Sequence, residues 1–227
     1  MDLIEFWRWG SSCGGRGARV LGEAMYSGIA VEMYRVFHSD ILPKLIQIAD
    51  EGKRYLYFLA WLNRELAVRN LGRIILTGGF AVEIYTGRVY RTMDVDIIVE
   101  GVGAKEVVEL FLKMFSENIG RGYLPRYEIL QLKSIDIVST VYTKPVQPTK
   151  IEIDEHYTIY VEPVEELIVT YLAGWKFWSA TEDRDKALWL YMVWRDRVDL
   201  GYLEKRAREE NVYDYLKELE EIVKQIL

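Results

Sequence analysis

Two aspartates, Asp94 and Asp96, are the residues whose type and spacing most directly suggest chemistry. They enter a short apolar run, residues 97 to 99, which predicts a buried strand. Alternate side chains of a strand point to the same face, so the two carboxylates should lie side by side, with Cα atoms roughly 6.5–7 Å apart. Carboxylate oxygens are ligands that Mg²⁺ prefers. The pair therefore predicts a metal site, and two ions about 3.5–4 Å apart could activate a hydroxyl and stabilise a leaving pyrophosphate.

A glycine pair, Gly78 and Gly79, follows another apolar run, residues 74 to 76, and precedes a predicted helix over residues 80 to 85. The first backbone N–H groups of a helix have no partner and attract anions, and glycine lets a phosphate approach closely. Either half alone has an ordinary explanation, since glycine pairs mark turns and aspartates mark strand ends. Their order and spacing together favour a site for a nucleoside triphosphate and its magnesium.

These motifs resemble those of a known superfamily. Gly78-Gly79, Thr92 and Asp94-Val95-Asp96-Ile97 are similar to the signature of polymerase-β-type nucleotidyltransferases. With Gly87 and Arg91 added, the pattern is most similar to the prokaryotic AbiEii-like toxin nucleotidyltransferases and their relatives. The resemblance is specific over residues 74–100, looser over 127–195, and does not reach residues 1–70.

The resemblance implies a Mg²⁺-dependent transfer of a nucleoside monophosphate from a triphosphate such as ATP to a hydroxyl group. The acceptor could be RNA, a protein or a small molecule, and a partner protein could complete a toxin–antitoxin pair. Asp94 and Asp96 would hold two Mg²⁺ ions. Gly78 and Gly79 would cradle the triphosphate.

Further site residues follow from the same resemblance. Many members carry serine where this chain has Gly79, which leaves Thr77 to supply a hydroxyl to the phosphates. Arg91 could also reach phosphate. Many members place a third carboxylate, a base or metal ligand, on a later strand. Asp136 is the first candidate for that role and Glu152 the second.

The carboxy-terminal lobe of the relatives contributes a lysine and then an aspartate. The lysine is expected near residue 171, where this chain has Tyr171; Lys176 lies five positions later. Asp185 suits the aspartate, with Asp183 as the alternative. This departure motivates a second hypothesis, a catalytically weak or inactive nucleotide-binding or protein-interaction module on the same fold. A third is an unrelated α/β binding domain.

Composition narrows the class of protein. The 227 residues carry a net charge of −6, which argues against a generally basic nucleic-acid binder, although residues 52–91 contain seven Lys and Arg against two Glu. Cys13 is the single cysteine, so no intrachain disulfide forms. No signal peptide and no apolar run of the ~18–20 residues of a membrane span is evident, so we expect a cytoplasmic protein without a membrane partner. Apolar residues near the amino terminus, including Phe6 and Trp7, could dock on the body or support an oligomer.

The expected fold class is α+β, a nucleotidyltransferase-like mixed sheet with flanking helices. Three sections are predicted: an amino-terminal helical section (1–70), an α/β core (71–162) and a carboxy-terminal helical lobe (163–227). Periodicity predicts helices over 19–38, 41–49, 53–69, 104–115, 163–178, 184–195 and 201–226. Strands are expected over 127–132, 134–141, 151–153 and 157–161, with a loop over 116–126.

Overall fold

A computed structural model describes residues 16 to 226, with side chains from residue 22 onward. A π-helical turn (Phe37–Ile41) joins the first two helices, and a 3-10 turn (Glu128–Leu130) precedes the fifth strand. The helices are α1 (Arg16–Val36), α2 (Leu42–Gln47), α3 (Glu51–Val68), α4 (Gly78–Tyr85), α5 (Ala104–Lys113), α6 (Val164–Trp178), α7 (Thr181–Trp194), α8 (Leu200–Glu209) and α9 (Tyr213–Ile226).

Seven strands of the described chain form one mixed sheet, in the order β3-β4-β5-β2-β1-β7-β6. The central strand β2 pairs antiparallel with β1 and parallel with β5. The mixed sheet with its helices confirms the predicted α+β class. The strands are β1 (Arg73–Thr77), β2 (Asp94–Glu100), β3 (Ser116–Ile119), β4 (Gly122–Pro125), β5 (Ser134–Ser139), β6 (Thr149–Glu152) and β7 (Thr158–Val161).

Strands β1 and β2 are apolar through their middles. Residues 74 to 76 are fully buried, as are Val95, Ile97 and Val99, which fits central strands covered on both faces. Polar side chains appear where the two strands meet at one end, with Thr77 of β1 opposite Asp96 of β2. Polar side chains that could react or bind a ligand therefore lie at this end of the sheet.

Helix α3 fastens the other end of the sheet. The buried Asn63 side chain accepts a hydrogen bond from Ile74 N (2.8 Å) and donates one to the Thr158 carbonyl (3.0 Å), so it joins β1 and β7. An aromatic cluster fills the layer between this helix, α1 and α5, with Phe37 and Phe111 edge to face at 5.8 Å. The buried hydrogen bonds of Asn63 and the aromatic packing together hold the central strands in place.

The carboxy-terminal helices form a lobe tied by a buried ion pair. Glu166 of α6 is fully buried and accepts from Arg206 Nε of α8 at 2.8 Å. The predicted single helix over residues 201–226 was wrong. Asn211 adopts a left-handed φ of 56°, and Val212 N bonds back to the Ala207 carbonyl, so the chain breaks into α8 and α9.

Two further expectations near the sheet were wrong. Residues 116–126 form the hairpin β3–β4 instead of a loop, because Gly120 (φ 59°) occupies the first position of a two-residue turn, where a positive φ matches strand twist. Residues 127–132 form a 3-10 turn instead of a strand, since Tyr55 Oη and Arg54 Nη1 from α3 donate to the carbonyls of Leu130 and Ile129. Side chains satisfy these carbonyls where a sheet partner would otherwise be needed.

The three predicted section boundaries stay a prediction. Phe6 and Trp7, which were expected to dock on the body, lie outside the described residues. Cys13 also lies outside them. Among residues 16 to 226, no helix is both long enough and apolar enough to span a bilayer.

Candidate active site

Three aspartates lie in one row on neighbouring strands. Asp96 of β2 is directly in register with Asp136 of β5, and Asp94 is in register with Ser134. Register partners share a face of the sheet, and so do residues two apart on one strand. The fold therefore brings Asp94, Asp96 and Asp136 to the same face. Glu152, the alternative third carboxylate, lies on the edge strand β6 and is not part of this row.

Ser134 joins two of the carboxylates. Its Oγ lies 2.8 Å from Asp94 Oδ1 and 3.1 Å from Asp136 Oδ1. A hydroxyl has one proton to donate, so it can satisfy only one of these oxygens at a time. The sequence analysis missed Ser134, because its role depends on pairing with a strand 40 positions earlier.

The Asp96 carboxyl has a raised pKa. Burial raises its pKa, and the negative charges of Asp136 and Asp94 raise it further, against the backbone N–H of Gly79 and the charge of Lys186, which lower it. The Gly79 N–H therefore already faces an anion, as expected for a helix amino terminus. Because three negative charges lie close together here, a cation bound beside Asp96 would reduce the repulsion between the carboxylates.

The raised pKa has a consequence for stability. The folded protein binds the Asp96 proton more tightly than the unfolded chain, so the free energy of unfolding falls as pH rises from the ordinary Asp pKa, about 3.9, through the raised one. Asp96→Asn is therefore expected to be more stable than wild type near neutral pH in EDTA, with the difference vanishing below about pH 3.9. Urea unfolding across pH measures this; equal stability at neutral pH would contradict it.

Gly78 is required for steric and conformational reasons. Its φ is +64°, and a Cβ there would lie 1.9 Å from Asp96 Oδ2. Gly87 has nearly the same φ, +63°, with open space around it, and is a matched control. Gly87→Ala should cost only the backbone strain, about 1–2 kcal/mol. Gly78→Ala should cost about 2–5 kcal/mol, because overpacking adds to the strain. Equal losses in urea unfolding would show that the Asp96 contact does not matter.

The loop between α4 and β2 is anchored by a buried lysine. Lys133, 1% exposed, binds Glu83 Oε2 at 2.8 Å and donates to the Thr92 carbonyl. Glu83 also accepts from Thr92 N at 3.2 Å. Thr92 in turn packs against Gly79, where a Cβ would meet its Oγ1 at 3.0 Å. A side chain at position 79 would therefore crowd Thr92 unless Thr92 moved by a few tenths of an ångström.

Thr77 does not aim its hydroxyl at the Gly turn. Its Oγ1 donates to Glu162, a buried carboxylate that directly follows β7. While the hydroxyl donates to Glu162 it has no second proton for a phosphate, and the phosphate contact of Thr77 stays a prediction. The geometry makes Thr77 a residue that fixes the start of the Gly turn.

Three other predicted nucleotide contacts lie elsewhere. Lys176 Nζ binds Asp214 Oδ1 and the Asn211 carbonyl, both at 2.7 Å, at the junction of α8 and α9. Asp185 pairs with its neighbour Arg184 at 2.8 Å. Arg91, 60% exposed, binds Glu51 at 2.5 Å. In the structure each of these side chains is paired with another residue: Lys176 on α6 with Asp214, Asp185 on α7 with Arg184, and Arg91 in the loop before β2 with Glu51. Their contact with a nucleotide stays a prediction.

A different part of the lobe faces the row. Tyr171 of α6 is buried, and its pKa is raised by burial and by the nearby carboxylates of Asp96 and Asp183. Asp183 packs on Gly174, where a Cβ would lie 2.0 Å from its Oδ2. Lys186 Nζ lies over the Tyr171 ring at 5.1 Å. Asp183, the alternative to Asp185, is thus placed nearer the row, and Lys186 was missed although it follows in the same charged run.

The residues present fit a magnesium ion that shares its ligands with a substrate. Mg²⁺ is commonly held by one or two carboxylates together with phosphate oxygens and water. The row supplies oxygen donors only, and its crowded negative charge raises the Asp96 pKa. Across residues 16 to 226, no group of three or more His, Cys, Asp or Glu side chains is close enough to hold a metal by itself.

Comparisons with known proteins add little to this geometry. No protein-family model and no curated protein matches the chain. A solved structure of the antibiotic-resistance factor ANT(2'')-Ia, described as showing substrate-regulated conformation dynamics, is similar at 19% identity and a TM-score of 0.40. The match covers 67% of this chain and 89% of that chain. A similarity at this level carries no inference about function, so function has to be argued from the site residues.

Proposed function

We propose that this chain is a nucleotidyltransferase of the polymerase-β type, related to the AbiEii-like toxin enzymes. It would move a nucleoside monophosphate from a triphosphate to a hydroxyl acceptor and release pyrophosphate. The observation that carries the proposal is the register of Asp96 with Asp136, with Asp94 on the same face and Gly78 packed against the Asp96 carboxylate. Each of the Gly-Gly and Asp-x-Asp motifs alone has an ordinary structural explanation, but in the fold the two meet at one end of the sheet.

Each part of the site has a role in this reaction. The N–H groups at the start of α4, among them the Gly79 N–H that here faces Asp96, would bind phosphate oxygens, and glycine lets a phosphate approach the backbone closely. Asp94 and Asp96 would hold Mg²⁺, which when bound neutralises phosphate charge and favours attack by a hydroxyl. Asp136 is the candidate base that accepts the acceptor proton or joins the metal shell. Ser134 donates its hydroxyl to either Asp94 or Asp136 and so orients one of them at a time.

A second candidate is a nucleotide-binding or protein-interaction module without turnover. Two observations favour it: Lys176 is held by Asp214, and the Thr77 hydroxyl is engaged by Glu162. The two candidates differ in one measurable property. A nucleotide-binding module binds a triphosphate with Mg²⁺ as the transferase does, but only the transferase leaves labelled nucleotide on an acceptor. A pure protein-interaction module does neither.

The test incubates the protein with Mg²⁺, each α-labelled nucleoside triphosphate and acceptors of three classes: RNA, proteins including the chain itself, and small hydroxyl compounds. Wild type should label at least one acceptor, and Asp94→Ala/Asp96→Ala should label none. Wild type and the double variant labelling equally little with every acceptor would remove the transferase proposal. A cytoplasmic location, a partner protein as in toxin–antitoxin pairs, and an oligomer remain predictions of the same proposal.

A further inference from the structure

The cation that faces the aspartate row comes from α7. Lys186 Nζ lies between two aromatic rings, 5.1 Å from the centroid of Tyr171 and 5.4 Å from that of Tyr90. Tyr90 belongs to the loop that leads into Asp94, and Tyr171 belongs to α6, so Lys186 is placed where the core meets the lobe. Its side chain is only 13% exposed, because the two rings cover it. The ammonium group is therefore kept close to the site.

The present partners of Lys186 are exchangeable. It lies 3.1 Å from Glu182 Oε1 and 3.3 Å from Asp183 Oδ1. Lys186 is 13% exposed, whereas Glu182 is 69% exposed and also accepts a hydrogen bond from Tyr90 Oη at 2.7 Å, so Glu182 keeps a partner and solvent contact if Lys186 turns to a phosphate. A polyphosphate, with several charges and many acceptor oxygens, is a stronger partner for an ammonium group than one exposed carboxylate.

Other cations near the core are committed elsewhere. Lys133 is buried against Glu83 and the Thr92 carbonyl, Arg91 binds Glu51, and Lys176 binds Asp214. The Gly turn offers only neutral N–H groups to a phosphate chain. A positive side chain would stabilise a triphosphate seated on that turn, and Lys186, whose charge acts on Asp96, is placed to supply it.

We propose that Lys186 is the polyphosphate-binding cation of this site, a role that rests on the proposed function. On binding, its ammonium group exchanges Glu182 for phosphate oxygens while its position over the Tyr171 ring is kept. Asp183, pinned against Gly174 by close packing, acts as a positioning residue that keeps Lys186 aimed at the row. The position expected to carry a lysine, Tyr171, thus supplies the aromatic surface on which a lysine from the next helix rests.

The experiment is calorimetric titration of the full chain with Mg²⁺ and three probes: inorganic tripolyphosphate, a nucleoside triphosphate and the matching monophosphate. The variants are Lys186→Met and, as a matched control, Lys176→Met, a second lobe lysine held in an ion pair. Lys186→Met should weaken tripolyphosphate and triphosphate binding by about 10- to 100-fold and monophosphate binding far less. Lys176→Met should bind all three as wild type does, and Lys186→Arg should recover most of the affinity.

Glu182→Gln keeps the inference testable if Lys186→Met fails to fold. Removing this exposed carboxylate should strengthen tripolyphosphate binding by about 2- to 5-fold, since Lys186 loses a competitor. Equal triphosphate affinity in wild type and folded Lys186→Met would overturn the inference and leave the transferase proposal standing. Loss of polyphosphate binding in Lys186→Met, with no transfer by wild type to any acceptor, would support Lys186 and remove the transferase. A wild type that binds no polyphosphate would overturn both.

Discussion

Asp96→Asn is expected to lower the rate of nucleotidyl transfer by about 10³-fold or more. Asp96 is at the centre of the row, opposite Asp136 on one side and Thr77 on the other, and it packs on Gly78. Losing one carboxylate from a Mg²⁺ site removes several kcal/mol of transition-state stabilisation, and about 4 kcal/mol corresponds to about 10³-fold. Single-turnover transfer from an α-labelled triphosphate at saturating Mg²⁺ measures the rate.

The control for this variant is Asp185→Asn. Asp185 is the aspartate of the lobe that the family resemblance favours, and in the structure it pairs with the adjacent Arg184. It should retain transfer within about 3-fold of wild type, because exposed pairs contribute little. Full activity in Asp96→Asn, or a loss in Asp185→Asn as large as that in Asp96→Asn, would show that the row is not the catalytic centre. Greater stability of Asp96→Asn near neutral pH would separate a catalytic defect from misfolding.

Lys133→Met is expected to destabilise the fold by about 3–5 kcal/mol. Glu83, its partner, is completely buried, and its Oε1 has no hydrogen bond and lies 3.5 Å from Arg88 Nε, a weaker ion pair. Removing the lysine leaves a buried carboxylate with its main counter-charge gone, and it releases the Thr92 carbonyl as well. The loop that carries Thr92 to Asp94 would lose its anchor, so Mg²⁺-dependent triphosphate binding should weaken together with stability.

Urea unfolding followed by tryptophan fluorescence measures this loss. Lys105→Met is the control, since Lys105 is 45% exposed and only 3.7 Å from Glu109 on the same helix; it should cost about 0.5 kcal/mol or less. The double variant Lys133→Met/Glu83→Gln should recover part of the loss, because the orphaned charge is then removed. A loss for Lys133→Met no larger than that for Lys105→Met would mean that the buried pair does not hold the loop.

Local sequence patterns predicted the centre of the site. The apolar runs before Gly78 and after Asp96 identify two strands, and the period of two places Asp94 and Asp96 on one face. These features depend on residues close together in the chain, where hydrophobic period and turn chemistry are strong signals. Asp136 was named from the family resemblance, and its place opposite Asp96 depends on the pairing of β5 with β2.

The parts that sequence could not predict depend on contacts distant in the chain. Lys186 reaches the row because α6 and α7 form a tight antiparallel pair turned at Ser179 (φ 53°), so spacing on one helix pointed to Lys176 instead. The 3-10 turn before β5 forms because Tyr55 donates to its carbonyl from α3. The periodicity of a sequence reflects only residues that are near one another in the chain, so it cannot show either contact. Both contacts override local propensity.

The parallel pairing of β2 with β5 bears on when the site comes into being during synthesis. The Gly turn and the Asp-x-Asp strand are joined by the nearby antiparallel pair β1–β2, whereas Asp136 arrives 40 positions after Asp96. Pairings between distant segments form late, since loop closure must precede their contacts. A nascent chain that has released β2 but not β5 therefore holds the first two carboxylates without the third and without Lys133. We expect nucleotidyl transfer to begin only after the last strands and the carboxy-terminal lobe have docked. The proposed activity therefore depends on completion of the fold.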